Sequence, residues 1–412
     1  MSSEILFLSH RIPFPPDRGD KIRSHHILKR LARIAPVHVA TFADDEGDMA
    51  EEVELATLAR SYRLVRRSKP LLVAGLEALR SGRPVSQAAF ADGTIAQYVA
   101  QVLAERPIGV IYMFSGQMGQ YIPDEFRGRV VADFVDVDSA KFEAYAARSG
   151  RLMRWIEARE ARLLRAEESR LARRADVSLL VSAEEAELFV SRLGSDVAAN
   201  CDVRMLPNGI DAQFYDPSFV RSEPRVIAAG APRLIFTGQM DYVPNVAAAL
   251  RVADRILPLV RRSHSEASFH VVGRNPTPAL QARHGRGGVH VWGRVDDIRP
   301  WLKAGDVVVV PLEIARGVQT KVLEAMAMAK PVVLTRAAAT GIPAVEGFHF
   351  AIADSDAEIV AKIQALADNK AGAAAKSLAA RRFVAQTMGW PNALRELPTI
   401  IGRQSGSARD AA

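Results

Sequence analysis

Cysteine is nearly absent from this 412-residue sequence, in which Cys201 is the single example. One thiol has no partner for an intramolecular disulfide, so a disulfide-held secreted scaffold is excluded and a reducing, cytoplasmic setting is predicted. The first residues, MSSEILFLSHRIPF, reach prolines after a short apolar run, and we therefore expect no secretory signal there.

Long apolar runs are missing as well. The sequence contains no window of about 18 uncharged apolar residues, which excludes a membrane-spanning helix. The formal net charge is +7 and the isoelectric point is near 9.6. This balance favours anionic partners, and it leaves open whether they are phosphate esters, an acidic lipid surface or nucleic acid.

What the sequence does contain is an alternation of short apolar runs with longer amphipathic segments. The runs of the first half are EILFLS, VHVATF, IGVIYM, RVVADFV and DVSLLV, and the rhythm restarts near Arg233 with RLIFTG, SFHVVG, VHVWG, DVVVVP and PVVLT. Such alternation is typical of βαβ units. It predicts an α/β fold of two doubly wound parallel-sheet domains.

The turn PNGID at residues 207–211 predicts the boundary between the two domains, because a proline followed by Asn-Gly breaks regular structure. We predict an N-terminal domain over 1–207, a linker over 208–232, a nucleotide-binding domain over 233–385, and a closing helix with a disordered tail over 386–412.

The segment ARGVQTKVLEAMAMAKPVV at residues 315–333 follows an apolar run and predicts a buried helix. If the helix begins near Gly317, its free backbone N–H groups form an anion site. Lys321 and Glu324 then share one face, where the lysine neutralises a diphosphate and the glutamate accepts hydrogen bonds from vicinal hydroxyls such as those of a ribose. The alternative is an exposed ion pair between these two side chains.

Several motifs together resemble the GT-B glycosyltransferases, specifically the retaining glycosyltransferase family 4. These motifs, in order and in register, are NGID, FTGQMDYVPN, HVVGRNP, VHVWGRVDDIRPWL and KVLEAMAMAKPVV. A closer similarity is to the sugar transferases associated with the PEP-CTERM exosortase and exopolysaccharide system, through PFPPDRGDKIR, DFVDVDSAKF, VSAEEAELF and ARGVQTKVLEAMAM. The resemblance implies two Rossmann-like domains facing across a cleft, with a nucleotide-sugar donor held mainly by the C-terminal one.

The sequence departs from the family pattern at the two positively charged residues that bind the diphosphate and at the first of two glutamates. Of the family's two glutamates, Glu324 fits the second, which holds the donor ribose, whereas the first falls on Arg316. The usual Gly-Arg and downstream lysine are replaced by Gly238, Gln239 and Pro244. We hypothesise that Arg316 and Lys321 supply the missing cations. The predicted donor-binding residues are Gly19, Gly238, Gln239, Arg294, Arg316, Gly317, Lys321 and Glu324.

In the N-terminal half, SHRIPFPPDRGDKIR joins the first strand to a helix. Asp20 is the predicted N-cap, and Gly19 belongs to a loop that approaches donor phosphate or acceptor. Arg18, Lys21 and Arg23 add positive charge, and we predict that Arg18 and Lys21 lie on the acceptor or sugar side. The alternative is a proline-rich connector before a capped helix. We expect His10, His25 and His26 to be packing or surface residues.

The segment DFVDVDSAKF contains Asp136 and Asp138, which match the Asp-x-Asp signature of metal-dependent GT-A enzymes by themselves. We predict instead that Asp138, Ser139 and Lys141 line the cleft at a strand end, and that no metal is bound. Asp138 and Lys321 are the predicted catalytic residues.

An arginine-rich stretch over residues 148–174 is interleaved with leucines, Trp155 and Ile156. It predicts a basic amphipathic helix that rests on an anionic membrane surface. The alternative is a long surface helix with internal Glu–Arg pairs. Nucleic-acid binding is not expected, because no aromatic stacking platform accompanies the arginines.

Together these features predict a cytoplasmic, metal-independent glycosyltransferase without a cofactor, with attachment to the inner face of the plasma membrane left open. It would move a sugar from a nucleotide-diphosphate donor to a growing, lipid-linked glycan in exopolysaccharide biosynthesis. By resemblance it retains anomeric configuration, and the leaving diphosphate helps to deprotonate the acceptor. The alternatives are a metal-dependent transferase using Asp136 and Asp138, and a non-catalytic nucleotide-sugar-binding or scaffold subunit.

Overall fold

The computed structural model describes residues 3–147, 149–315 and 317–403. The chain divides into two compact units. Met1–Asn208 and the residues from Ala393 onward form the first unit, and Gly209–Asn392 form the second. The second unit thus begins directly after Asn208, inside the PNGID turn, and includes residues 209–232 that the sequence assigns to a linker.

The first unit is built on a seven-stranded sheet, counted over the described residues, whose paired neighbours are all parallel. Its strands are β1 (Glu4–Ser9), β2 (Val37–Ala43), β3 (Ser61–Arg66), β4 (Ile108–Phe114), β5 (Arg129–Val135), β6 (Val177–Leu180) and β7 (Val203–Met205). They lie in the order β3-β2-β1-β4-β5-β6-β7. Ile5 to Leu8 of β1 are fully buried, as expected for a parallel strand covered on both faces.

Helices cover this sheet. They are α1 (Gly19–Ala32), α2 (Glu46–Ala50), α3 (Glu52–Leu58), α4 (Leu71–Ser81), α5 (Val85–Ala88), α6 (Gly93–Glu105), α7 (Asp138–Ala146), α8 (Arg151–Arg174), α9 (Ala183–Arg192) and α10 (Ser195–Ala198), with a 3₁₀ turn at Gly116–Tyr121.

The second unit has a six-stranded parallel sheet within the same described ranges. Its strands are β8 (Arg233–Thr237), β9 (Ser268–Val272), β10 (Val289–Gly293), β11 (Val307–Val310), β12 (Val332–Leu334) and β13 (Ala351–Ile352), in the order β10-β9-β8-β11-β12-β13.

The helices of the second unit follow the same pattern. They are α11 (Pro224–Ile227), α12 (Val243–Arg251), α13 (Leu257–Val260), α14 (Pro278–Gln281), α15 (Arg299–Ala304), α16 (Thr320–Ala327), α17 (Arg336–Ala339), α18 (Asp356–Asp368), α19 (Lys370–Phe383) and α20 (Trp390–Ala393), with a 3₁₀ turn at Pro217–Phe219 and π-helical turns at Val252–Ile256 and Val384–Met388.

The strand order reverses direction once in each sheet, between β1 and β4 in the first unit and between β8 and β11 in the second. Ligands of doubly wound folds bind beyond the carboxyl ends of the strands at such a switch point. The segments that follow β1, β8 and β11 are therefore the positions at which a site is expected.

After α20 the chain returns to the first unit and ends its described part with α21 (Leu397–Ile400). Arg129 Nε at the start of β5 donates to the carbonyl of Ile400 at 2.7 Å, and Arg403 donates to the carbonyl of Ser3. The predicted tail beyond Arg403 lies outside the described residues. Within those residues, no helix has the length and apolar character needed to cross a bilayer.

Candidate active site

Helix α16 opens the candidate site in the second unit, immediately after β11. It begins at Thr320 with Gln319 at the N-cap, three residues later than the predicted start near Gly317. Gly317 has φ +60°, a left-handed conformation that favours glycine. The first-turn N–H groups thus belong to residues after the glycine.

Lys321 reaches from α16 to the start of α12. Its ammonium Nζ donates to Asn245 Oδ1 at 2.6 Å and lies 4.7 Å from the ring centroid of Phe236. A Cβ added at Gly238 would lie 3.0 Å from Nζ, so a side chain there would press on the ammonium. Burial lowers the pKa of Lys321 to about 8, partly opposed by the nearby carboxylate of Glu324.

Glu324 lies one turn further along the helix. Its Oε1 accepts a hydrogen bond from the Tyr215 hydroxyl at 2.9 Å, and burial raises the pKa of the carboxyl group. Arg381 of α19 donates to the Tyr215 carbonyl at 2.8 Å and lies 2.8 Å from a carboxylate oxygen of Asp216, which holds the tyrosine in place. No ion pair joins Lys321 and Glu324, so the alternative of a simple exposed pair is wrong.

The loop after β8 brings backbone close to the same point. Gly238 carries φ +151°, and a Cβ at Gly273 would lie 1.6 Å from the Gly238 carbonyl oxygen, so both positions exclude side chains. Asn245 Nδ2 donates to the Gln239 carbonyl at 2.9 Å. Gln239 Oε1 in turn accepts from Arg274 at 2.9 Å.

Tyr215 and Arg274 are site residues that the sequence analysis did not single out. Arg274 lies in the motif HVVGRNP and brings a cation to the loop where the family's usual arginine is replaced by Gln239. Tyr215 follows the PNGID turn in the motif NGIDAQFYDP, and its only sequence signal is that closeness to the domain boundary. Neither contact is visible from spacing, because both join segments far apart in the chain.

One predicted donor residue, Arg294, makes no contact that would place it in the site. Arg294 is exposed after β10 and makes no hydrogen bond or ion pair with the described residues. Arg316 lies outside the described residues, so its role as a replacement for one of the family's missing cations stays a prediction.

In the first unit, the segment after β1 forms a charged network. Asp20 is not the N-cap of α1 as predicted, because the helix begins at Gly19 with Arg18 at the N-cap position. The Asp20 carboxylate instead accepts from Arg11 at 2.8 Å, lies 3.1 Å from Arg18, and lies 3.4 Å from His10 Nε2. Hydrogen bonds to His10 and Arg11 hold the pKa of Asp20 well below its ordinary value, although burial opposes them.

Lys21 does not face the acceptor or sugar side as predicted. It is 3% exposed, and its ammonium donates to the Phe14 carbonyl at 3.0 Å and to Asp48. A buried ammonium needs such partners, so this lysine fixes the loop after β1. Gly19 is exposed, and an added Cβ would meet nothing within 4 Å.

Arg23 of α1 is also buried. It bonds the carboxylate of Asp133 through Nε and Nη2, both at 3.1 Å, and donates to the Leu206 carbonyl at 2.8 Å. Tyr112 donates to the same carboxylate at 2.9 Å. These bonds join α1, β4, β5 and the residue that directly follows β7.

The Asp-x-Asp segment lies at the end of β5. Lys141 Nζ lies 2.8 Å from Asp136 and 3.2 Å from Asp138, and these carboxylates raise the pKa of Lys141 despite its burial. Ser139, predicted to line the cleft, is instead fully buried and bonds the Glu168 carboxylate through its N–H at 2.9 Å and its hydroxyl at 2.5 Å. In the part of the chain that the structure describes, no group of three His, Cys, Asp or Glu side chains is placed to hold a metal.

The comparisons with known proteins agree on the fold. Residues 231–369, which include Gly238, Lys321 and Glu324, match the family described as glycosyl transferases group 1. Glycogen synthase of Mycobacterium tuberculosis is 25% identical over 269 residues, and the match covers 63% of this chain. The chain spans 62% of the length of that relative.

Solved structures match over nearly the whole chain. Anabaena Alr3699/HepE, crystallised with UDP-glucose, is 15% identical, with coverage of 97% of this chain and 99% of that one and a TM-score of 0.59. Sucrose-phosphate synthase from Thermosynechococcus elongatus is 14% identical, with coverage of 97% and 98% and a TM-score of 0.62. With the two parallel-sheet units, these likenesses confirm the predicted GT-B fold.

Proposed function

We propose that this chain is a glycosyltransferase that takes a sugar from a nucleotide-diphosphate donor bound by the second unit. The observation that carries the proposal is the position of Lys321, whose ammonium lies beside the Gly238 backbone at the start of α16 and one turn before Glu324. A cation next to free helix N–H groups is suited to a diphosphate. The match of residues 231–369 to the glycosyl transferases group 1 supports this assignment.

Lys321 replaces, in this proposal, the diphosphate-binding lysine that the family pattern places at the position of Pro244. Its Nζ bonds Asn245 in the first turn of α12. The positive charge therefore lies near the loop between β8 and α12, although the lysine itself belongs to α16. Arg274 adds a second cation through its bond to Gln239. As the sugar bond breaks, these groups and the helix dipole would stabilise the charge that develops on the leaving diphosphate.

Glu324 would bind the donor ribose. Its Oε1 already accepts from Tyr215, which fixes the carboxylate in one orientation. Its remaining lone pairs accept hydrogen bonds from ribose hydroxyls. Because Anabaena Alr3699/HepE was crystallised with UDP-glucose, uridine diphosphate sugars are the first donors to test.

The acceptor, the stereochemistry of transfer and the cellular compartment are inferred from the sequence motifs. We infer that the transfer retains the anomeric configuration and that the acceptor is a growing, lipid-linked glycan in exopolysaccharide biosynthesis. Asp138 would lie on the acceptor side. The reaction would use no metal and no cofactor. The motifs quoted for the PEP-CTERM-associated sugar transferases support this inference. The protein would act in the cytoplasm.

Attachment to an anionic membrane through α8 belongs to the same proposal. Its partnered arginines, which bond residues of the first unit outside α8, are Arg159, Arg165, Arg170, Arg173 and Arg174. Arg151, Arg154 and Arg162 are exposed and make no hydrogen bond or ion pair with the described residues. The three exposed arginines would therefore face the lipid, and the partnered arginines would hold α8 to the rest of the first unit.

Donor binding and turnover test this function. Titration calorimetry with a panel of nucleotide-sugars should find one donor that binds, and Lys321→Ala should weaken that binding. Lys362→Ala, an exposed lysine on α18, is the matched control and should bind as the wild type does.

Measurements of sugar transfer and donor hydrolysis distinguish a transferase from a non-catalytic binding subunit. A donor that binds but is neither transferred nor hydrolysed across a broad acceptor panel would identify a nucleotide-sugar-binding subunit instead. Equal donor affinity in Lys321→Ala and the wild type would contradict the proposed site.

A further inference from the structure

Helix α4 packs with its alanines and exposes its leucines. Ala74 and Ala78 are fully buried, whereas Leu72 is 85% exposed, Leu76 is 64% exposed and Leu79 is 56% exposed. Positions 72, 76 and 79 are spaced by four and three residues, so these leucines form one stripe along the helix. A helix that only covers a core buries its leucines, and the core therefore does not explain this stripe.

The first turns of α8 also expose large apolar side chains. Met153 is 50% exposed and Trp155 is 61% exposed. Arg159 Nη2 donates to the carbonyl of Ala78 at 2.8 Å, which fixes α8 beside the end of α4. Glu160 accepts from the backbone N–H groups that open α5, at 2.7 and 2.9 Å. These bonds hold α8 against α4 and α5, so the first unit exposes large apolar side chains on two helices that are joined to each other.

Positive charge accompanies these apolar side chains. Residues 66–83 contain five Lys and Arg residues, against Glu77 as the single acidic one, and Glu77 lies 2.7 Å from Lys69. Among the arginines of residues 66–83 and of α8, five are exposed and make neither an ion pair nor a side-chain hydrogen bond with any described residue: Arg80, Arg83, Arg151, Arg154 and Arg162. We call this set of arginines, together with Leu72, Leu76, Leu79, Met153 and Trp155, the α4–α8 surface.

We infer that the α4–α8 surface inserts the leucines of α4 into the headgroup and acyl boundary of an anionic bilayer. Apolar residues bordered by unpaired arginines match such a boundary, where acyl chains cover the leucines and anionic headgroups meet the guanidinium groups. The exposed indole of Trp155 suits the same depth. This inference rests on the proposed attachment of α8 to the membrane. It adds the insertion of apolar side chains from α4, a helix that lies outside the arginine-rich residues 148–174.

Vesicle binding of the full chain tests the inference. The wild type should bind vesicles of phosphatidylglycerol and phosphatidylcholine, and not phosphatidylcholine alone. Vesicles with brominated acyl chains should quench tryptophan fluorescence, and Trp155→Phe should remove that quenching while binding remains.

Serine variants test the leucines themselves. Replacing Leu72, Leu76 and Leu79 by serine should lower the partition coefficient on the order of tenfold or more, because apolar area leaves the bilayer. Val53→Ser is the matched control, since Val53 lies on α3 of the same unit and is 72% exposed. It should bind as the wild type does, and both variants should keep the wild-type melting temperature and donor affinity.

The outcomes separate the inference from the function on which it rests. Unchanged binding of the triple serine variant, combined with loss of binding when Arg151, Arg154 and Arg162 become glutamine, would overturn the insertion and keep the attachment of α8. Absence of any binding to anionic vesicles would overturn both and leave donor transfer untouched. If sedimentation shows that the serine variant converts a dimer to a monomer without affecting lipid binding, the leucines cover a second copy and the inference fails.

Discussion

Lys321 and Glu324 lie three residues apart on α16, yet each bonds a different distant segment. The lysine bonds Asn245 at 2.6 Å and the glutamate bonds Tyr215 at 2.9 Å. The two charges are therefore held apart and not neutralised by each other. This arrangement leaves one positive and one negative group positioned along a single helix face, which suits a ligand with an anionic end and a hydroxyl-bearing end.

Donor affinity should depend on pH through Lys321. Because burial lowers its pKa to about 8, the side chain is mainly charged at pH 7 and mainly neutral at pH 9. The diphosphate requires the charged form, so affinity should fall on the order of tenfold over this interval. Calorimetric titration at several pH values measures the fall.

Lys321→Arg provides the matched control, since guanidinium stays charged throughout this range. Its donor affinity should vary little between pH 7 and pH 9. The same slope in both proteins would assign the pH dependence to another group.

Glu324→Gln should weaken donor binding while the fold is preserved. The amide keeps the size of the side chain but removes the charge that strengthens hydrogen bonds from ribose hydroxyls. Such bonds contribute roughly 1.5–3 kcal/mol, which is about ten- to a hundredfold in affinity. A collapse of the melting temperature with unchanged donor affinity would instead make Glu324 a structural residue.

Tyr215→Phe should lower stability in the absence of donor. The change leaves the buried Glu324 carboxylate without its hydroxyl donor, which costs about 1–3 kcal/mol. It should also raise the pKa of Glu324 further, because the lost hydrogen bond opposes the effect of burial. Urea unfolding at pH 7 measures the loss, and a midpoint equal to that of the wild type would contradict it.

Arg23→Ala should strongly destabilise the first unit. The substitution leaves the fully buried Asp133 without its charged partner, and breaking a buried pair in this way costs about 3–5 kcal/mol. Hydrogen exchange of the β5 amides reports on this unit directly. Arg127→Ala, at an exposed position, should exchange as the wild type does.

Chelation should leave glycosyl transfer unchanged. Asp136 and Asp138 both lie within an ion-pair distance of Lys141, whose ammonium occupies the position that a cation would take between them. Transfer rates with and without EDTA measure the effect. Loss of activity that manganese or magnesium restores would favour the metal-dependent alternative.

The architecture was predictable because it depends on local patterns. The apolar runs appear as buried parallel strands, and the GT-B fold follows the expected order of motifs. The sequence also placed Lys321 and Glu324 on one helix face. It missed their partners, since the bonds to Asn245 and Tyr215 join residues separated by 76 and 109 positions.

The loop residues were harder to place for a related reason. Lys21 and Ser139 have polar side chains next to strand ends, a pattern that is typical of site residues. Burial decides their role, and it depends on distant acidic partners: Asp48 for the lysine and Glu168 for the serine. Asp20 has the residue type of an N-cap, but the surrounding arginines hold its carboxylate away from the helix N–H groups.

The return of the chain to the first unit has a consequence for the order of assembly during synthesis. Residues 209–392 are contiguous and leave the ribosome as one complete block. The first unit is interrupted, and its bonds from Arg129 to the carbonyl of Ile400 and from Arg403 to the carbonyl of Ser3 can form only after the last described residues have been translated. The unit that begins translation is therefore the last to be closed, and a nascent chain that has emerged from the ribosome only as far as residue 392 would hold the whole second unit but an incomplete first unit.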